Sequence, residues 1–326
     1  MKLITILIPA YNEEDVLEQL YERLNTVMSR ADKYDFEILF INDGSKDRTL
    51  EIIKEMRKTD PRVSFVDLSR NFGKETAMSA GFDYARGDAV IILDADLQDP
   101  PELIPEMINY WEDGYDDVYA KRRTREGESW FKKWSSAKFY KTLQKSTRIP
   151  LQADTGDFRL LDRRCIEALK TIRETQRYTK GMFSWIGYNK KEILFDRNPR
   201  AAGETKWNYW KLAELALEGI TSFTTFPLRI STFFGVFVSL SAFIYMIWII
   251  FKTLYFGESV AGYPSMMVII LFLGGVQLLT IGIIGEYLGR VFNETKNRPL
   301  YFVDEYNEEK VQGQRDRFHS RYESGV

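Results

Sequence analysis

The sequence predicts an α/β domain with a mostly parallel sheet, followed by interfacial helices and two transmembrane helices. Three observations carry that prediction. Short β-branched runs alternate with helical patterns over the first hundred residues. Polar clusters follow each of those runs. Two uncharged apolar stretches, 230–251 and 264–285, lie in the last third. Each is long enough as helix, at roughly 33 Å, to cross a bilayer.

The elements follow in order. Leu3–Ile8 reads as the first strand, and Asn12 as the cap of a helix running to about Arg30, with Glu13 and Glu14 in its first turn. Phe36–Ile41 is the second strand, and Asp47 caps a helix to about Lys58. Val63–Leu68 is the third, followed by Arg70–Lys74 and a helix to Ala85. The run after Gly87 is the fourth and leads into Asp94-Ala95-Asp96-Leu97-Gln98. This order implies helices on both faces of the sheet. The clusters at Pro9–Glu13, Asp43, Arg70–Lys74 and Asp94–Gln98 would then share one edge, where open α/β sheets bind ligands. Alternate side chains on an extended backbone point the same way, so Asp94, Asp96 and Gln98 are expected to converge on one hard cation. Taken alone, an Asp-x-Asp is more often a solvated acidic turn.

Composition narrows the chemistry. Cys165 is the one cysteine and His319 the one histidine among 326 residues. Zinc sites built from His and Cys, Cys-His catalysis and an intramolecular disulfide are thereby excluded. A metal would need oxygen ligands, which favours Mg2+ or Mn2+. The net charge of −2 presents no global field for nucleic acid. Neither a Walker loop nor a Gly-x-Gly-x-x-Gly turn is present, so a nucleotide would be held through carboxylates and a bridging cation, with Asp43 accepting from a base or ribose.

Residues 121–148 interleave lysine and arginine with Trp130, Phe131, Trp134, Phe139 and Tyr140. The pattern suits a lipid headgroup surface beside membrane spans, an ordinary solvated basic helix, or single-stranded nucleic acid. Residues 207–220 carry Lys211, Glu214 and Glu218 on one side and apolar residues on the other. They read as an interfacial helix or a core-facing one. Two further candidates precede them: Asp154–Arg159, with carboxylates about a glycine, and the basic 197–207 loop, whose Arg200 and Lys206 suit an anionic headgroup. Arg229 precedes the first apolar stretch, and Arg290, Lys296 and Arg298 follow the second. The positive-inside rule puts both ends in the cytoplasm.

Pro9–Glu14, Asn42–Ser45, Arg70–Lys74 and Asp94–Pro101 together resemble the signature of family 2 glycosyltransferases with a GT-A, Rossmann-like fold. More narrowly, residues 3–300 resemble the polyprenyl-phosphate glycosyltransferases, relatives of dolichyl-phosphate mannose synthase. The Gln-x-x-Arg-Trp motif of processive synthases is missing, and Asn42 stands where an aspartate is frequent. The resemblance implies inverting transfer of a hexose, glucose favoured, from a UDP-sugar to undecaprenyl phosphate at the cytoplasmic membrane. GDP-mannose as donor and a non-catalytic scaffold are the alternatives. It implies that Pro9, Tyr11, Glu13, Asp43 and Lys74 hold the nucleotide, and that Asp94 and Asp96 face the diphosphate. Asp96 and Gln98, with Asp94 beside them, are the implied metal ligands. Asp157 is the implied base. Arg122, Lys132, Lys133, Ser135, Arg200 and Lys206 are the implied ligands of the lipid phosphate. The expected layout is a catalytic domain over 1–206, a juxtamembrane helix over 207–229, a two-helix hairpin over 230–285 and a charged cytoplasmic tail over 286–326. The glycines at 274, 275, 282 and 285 suit close helix packing, within the chain or in a homo-oligomer.

Overall fold

The structure is a computed structural model that describes residues 1–123, 155–175, 177–195, 226–256 and 262–311. In chain order its first half contains β1 (Lys2–Ala10), α1 (Leu17–Met28), β2 (Tyr34–Asn42), α2 (Thr49–Thr59), β3 (Val63–Leu68), α3 (Lys74–Tyr84) and β4 (Ala89–Ile92). A 3-10 turn (Pro101–Leu103), α4 (Ile104–Glu112), β5 (Asp117–Arg122), β6 (Thr155–Asp162), α5 (Arg163–Thr171), α6 (Thr179–Trp185) and β7 (Lys190–Phe195) follow. Then come two long helices, α7 (Phe226–Phe256) and α8 (Tyr263–Thr295), and two short strands, β8 (Val303–Tyr306) and β9 (Glu309–Lys310).

The strands form one sheet in the order β7-β5-β6-β4-β1-β2-β3-β8-β9. β4, β1, β2 and β3 are mutually parallel, whereas β6 runs antiparallel to both β4 and β5. The continuous apolar runs of the sequence are explained by burial on both faces. Ile4, Ile6 and Ile8 of β1 pack on one side with Leu17, Leu20 and Leu24 of α1 and Ile53 of α2. Leu7 of β1, Leu39 and Ile41 of β2, and Val90 and Ile92 of β4 pack on the other with α3, α5 and α6. Each fully buried leucine or isoleucine contributes roughly 1.5–3 kcal/mol.

Two local expectations give way. Asn12 does not cap α1, which starts five residues later at Leu17 without a side-chain cap. Asn12 instead takes a left-handed backbone conformation (φ 56°), and its side chain serves the neighbouring loop. Val303–Tyr306, read within a charged tail, is a sheet strand that pairs antiparallel with β3. Lys54 Nζ to Glu305 (2.6 Å), the Tyr301 hydroxyl to Asp83 (2.6 Å) and Phe65 N–H to the Asn307 side chain (2.9 Å) fasten it.

By compactness the chain divides into a unit that carries the sheet and a second unit that contains α7 and α8. Within α7 and α8, the stretches Ser231–Ile249 and Val268–Thr295 are long and apolar enough to cross a membrane. Phe233, Phe237, Leu240, Ile244 and Trp248 of α7 are all exposed, so this helix does not confine its apolar residues to one buried stripe. Its polar residues are satisfied locally, as where the Thr232 and Ser241 hydroxyls donate to the carbonyls of Leu228 and Phe237.

Candidate active site

The carboxyl ends of β1, β2, β3, β4 and β5 lie on one edge of the sheet, because these strands all run the same way. The loops after β1 and β2 are laced together. Asn12 N–H donates to Ser45 Oγ (3.0 Å) and Lys46 N–H to Asn12 Oδ1 (2.8 Å). Glu14 N–H donates to Asp47 (3.2 Å), and Arg48 N–H donates to Glu14 Oε2 (3.0 Å). Asp47 also accepts from Thr49 N–H at the start of α2 (3.1 Å). Pro9 is half-buried, Tyr11 is exposed, and Glu13 N–H donates to Thr49 Oγ1 (2.8 Å).

Asp43 is buried and organises the next loop. Its two oxygens accept from the backbone N–H groups of Phe72 (2.7 Å) and Gly73 (2.9 Å). Burial pushes its carboxyl up, against those two hydrogen bonds and the nearby Arg70 charge. Gly44 (φ +64°) completes the junction, since a Cβ there would fall 2.5 Å from the Arg70 carbonyl carbon. Asn42 donates from Nδ2 to Asp67 Oδ1 at 2.6 Å, with both side chains buried. An aspartate at position 42 would instead set two carboxylates against each other.

The segment after β4 is not the extended run expected. β4 ends at Ile92, and Leu97 adopts φ +59°, folding the chain over Asp96 and Gln98. This unfavourable backbone is held by burial of Leu97 and by Gln98 N–H donating to Asp96 Oδ1 (3.1 Å). Strand alternation therefore does not set the geometry of Asp94, Asp96 and Gln98; a turn does. Gln98 is itself buried, and its Oε1 has no hydrogen-bond partner among the described residues.

Asp157 reaches the same edge from the opposite direction. β6 pairs antiparallel with β4, Ile92 facing Arg159, so the register carried two residues onward sets Asp157 opposite Asp94. Lys74, first residue of α3, lies between them. Its Nζ donates to Asp157 Oδ2 (2.6 Å) and to Asp94 Oδ2 (2.7 Å), with Asp94 Oδ1 also 2.6 Å away. Burial opposes the lysine charge, but the two carboxylates outweigh it and raise its pKa. Burial alone would lift Asp157, yet Lys74 and then Lys180 hold its carboxyl below the ordinary range. Asp157 Oδ1 has no hydrogen-bond partner among the described residues.

Glu75, Arg159 and Lys180 neighbour these groups, and of the three the sequence marks Arg159 alone, as the end of the Asp154–Arg159 cluster. Glu75 Oε2 accepts from the Thr179 hydroxyl and from Thr179 N–H (3.0 Å), and burial with the Asp157 charge pushes its pKa up to about 7. Arg159 is fully buried, pairs with Asp117 (3.1 Å) and lies 3.8 Å over the Phe183 ring. Lys180 is the second residue of α6. No sequence motif marks Glu75 or Lys180; Glu75 adjoins Lys74 in the chain, whereas Lys180 reaches the site only through the fold. Arg122 ends β5 at this edge and is half-buried. Lys132, Lys133, Ser135, Arg200 and Lys206, the aromatic-basic segment from 124 to 148 and the helix expected over 207–220 lie outside the described residues.

Asp94, Asp96 and Gln98 offer hard oxygen donors of the kind Mg2+ and Mn2+ take, and the unpartnered Gln98 Oε1 fits that chemistry. Among the described residues, no cluster of three His, Cys, Asp or Glu side chains could hold a metal ion, and Asp94 is already paired with Lys74.

Comparison with known proteins adds two matches. Residues 5–170 match the family model for glycosyl transferase family 2, and residues 226–291 match a GtrB C-terminal hairpin. An "uncharacterized glycosyltransferase" of Synechocystis sp. is 52% identical over 302 residues, covering 93% of this chain and 95% of that protein. The SfII prophage-derived bactoprenol glucosyl transferase of Shigella flexneri is 46% identical over 300 residues, covering 92% and 97%. Among solved structures, mannosyl-3-phosphoglycerate synthase from Rubrobacter xylanophilus superposes with a TM-score of 0.46 at 16% identity, over 67% of this chain and 71% of that one.

Proposed function

The chain belongs to glycosyl transferase family 2, and on that footing we propose that it transfers a hexose, glucose favoured, from a UDP-sugar to undecaprenyl phosphate. The observation that carries the proposal is the junction of Lys74, Asp94 and Asp157 at the strand-end edge, beside Asp96 and Gln98. A relative described as a bactoprenol glucosyl transferase, matched over nine-tenths of this chain, supports the acceptor. The apolar helices α7 and α8 support a bilayer location, with the sheet domain and both termini on the cytoplasmic side.

In this reading Pro9, Tyr11, Glu13 and Asp43 surround the nucleoside, with Asp43 also holding the Phe72–Gly73 backbone in place. A Mg2+ or Mn2+ ion held by Asp96 and Gln98, with Asp94 beside it, would offset charge that grows on the leaving diphosphate. Lys74 fixes Asp94 and Asp157 by hydrogen bonds and holds the Asp157 carboxyl below its ordinary range. The acceptor is a phosphate monoester whose second pKa is near 6, so at pH 7 it is mostly dianionic and needs orientation more than deprotonation. A carboxylate held below its ordinary range is a weak proton acceptor, and Asp157 therefore acts by charge and position. Arg122, Lys132, Lys133, Ser135, Arg200 and Lys206 are assigned to the lipid phosphate. Direct displacement at the anomeric carbon inverts its configuration. A homo-oligomer packed through the glycines of α8 completes the proposal.

The test is transfer from a panel of UDP- and GDP-sugars to undecaprenyl phosphate by the full chain. Radiolabelled lipid product should form best with UDP-glucose and vanish in Asp96→Ala, whose fold is checked by circular dichroism. Preference for GDP-mannose would reassign the donor. Near-normal turnover in Asp96→Ala would remove the metal assignment.

A further inference from the structure

The proposed reaction brings a dianionic monoester up to a diphosphate, so the acceptor side of the site needs positive charge. Lys74 does not supply it freely, since carboxylate oxygens lie 2.6 Å away on both sides. Lys180 is differently placed. Among the described residues no hydrogen bond or ion pair engages its ammonium, although both Asp157 and Glu75 feel its charge. It is half-buried rather than free in solvent. Its backbone is anchored by its neighbour: Glu75 takes two hydrogen bonds from Thr179, which is fully buried. That clamp ties the start of α6 to the first turn of α3, one residue from Lys74.

The loops assigned to the nucleotide follow β1, β2 and β3, whereas Asp157 arrives on β6, beyond β4 in the sheet. The Thr179–Glu75 hydrogen bonds bring Lys180, the next residue, to this edge, where Asp157 feels its charge. We propose that Lys180, presented by the Glu75–Thr179 clamp, binds the phosphate monoester of the acceptor, and that Glu75 is its positioning residue. The assignment rests on the transfer reading given above and adds a ligand to it. Arg177 is a further cation, one that feels the Glu75 charge, but its Nη1 is already bonded to the Ile172 carbonyl (2.8 Å).

The experiment uses the full chain in detergent with UDP-glucose and undecaprenyl phosphate, each varied in turn. Lys180→Met should raise the KM for the lipid phosphate about tenfold or more, as expected for loss of a charge-assisted hydrogen bond, and leave the KM for UDP-glucose within about twofold. Lys180→Arg should recover most of the loss. Glu75→Ala should show the same acceptor-selective change, and the double variant Glu75→Ala/Lys180→Met should be no worse than Lys180→Met alone. A mere folding defect would not separate the two KM values. An unchanged acceptor KM, or a change confined to the donor, overturns the assignment; the latter would place Lys180 on the diphosphate. Wild-type protein that transfers no sugar to undecaprenyl phosphate overturns the transfer reading instead. Calorimetric binding of farnesyl phosphate then decides Lys180 separately: binding weakened by Lys180→Met supports it, and equal binding refutes it.

Discussion

Replacing Lys74 by methionine removes the ammonium between Asp94 and Asp157 and keeps the side chain's length. Losing one member of a buried ion pair costs about 3–5 kcal/mol. Here the Lys74 side chain is 42% exposed and that of Asp157 only 10%, so solvent screens part of the interaction. A loss of about 2–3 kcal/mol follows after that discount. The pH dependence is the sharper signature. In the wild type the Asp157 carboxyl lies below its unfolded value, so its stabilisation is present above roughly pH 4 and is lost only as pH falls through the folded pKa. Without Lys74, burial still raises the Asp157 pKa while only Lys180 and Arg159 remain to lower it, so the folded pKa should rise. The stabilisation that the charged carboxylate contributes then shrinks, and the shortfall against wild type is largest where Asp157 is ionised. Denaturant unfolding of the full chain in detergent at pH 5 and pH 8, followed by tryptophan fluorescence, should show Lys74→Met weakening toward pH 8 relative to wild type. Parallel pH dependences, or a loss under about 0.5 kcal/mol, would refute the reasoning.

Three other perturbations probe the same edge. Asn42→Asp faces Asp67 across the 2.6 Å now spanned by a hydrogen bond, and should cost about 2–4 kcal/mol at pH 8 but less at pH 5 in the same unfolding assay. The relief on acidification follows because burial already raises the Asp67 pKa, and a second carboxylate raises it further. Gly44→Ala brings a Cβ to 2.5 Å from the Arg70 carbonyl carbon at φ +64°, and should cost about 2–5 kcal/mol and raise the UDP-sugar KM in steady-state kinetics. Glu75→Gln removes a carboxyl raised from 4.5 to about 7. In wild type that group's contribution is full below pH 4.5 and lost through pH 7, so thermal unfolding of wild type relative to the variant should weaken between pH 5 and 8 by at most about 3 kcal/mol.

Much of this edge is legible in the sequence because buried parallel strands need unbroken apolar runs. Those runs mark where each strand stops and its polar loop starts. That pattern marks Asp43, Lys74 and Asp94; the carboxylates about Gly156 mark Asp157, to which the family resemblance adds a role. What escaped depends on contacts between distant residues or on backbone that composition does not encode. Asn12 has the chemistry of a helix cap, yet a loop 34 residues away claims its side chain. Leu97 is an ordinary apolar residue whose left-handed turn decides how Asp96 and Gln98 meet. β8 has only four residues, two of them acidic, and becomes a strand because β3 offers an open edge. Glu75 looks like a routine acid in a first helical turn, and only the fold brings Thr179 to it.

The central claim is that the edge holding Lys74, Asp94 and Asp157 transfers glucose to a lipid phosphate. The most direct measurement incubates the full chain with radiolabelled UDP-glucose, Mg2+ and undecaprenyl phosphate, extracts the lipid, and determines the anomeric configuration of the product by NMR. Label is expected in the lipid phase, in β linkage from the α-linked donor. Label that stays in water, or an α-linked lipid, would contradict it.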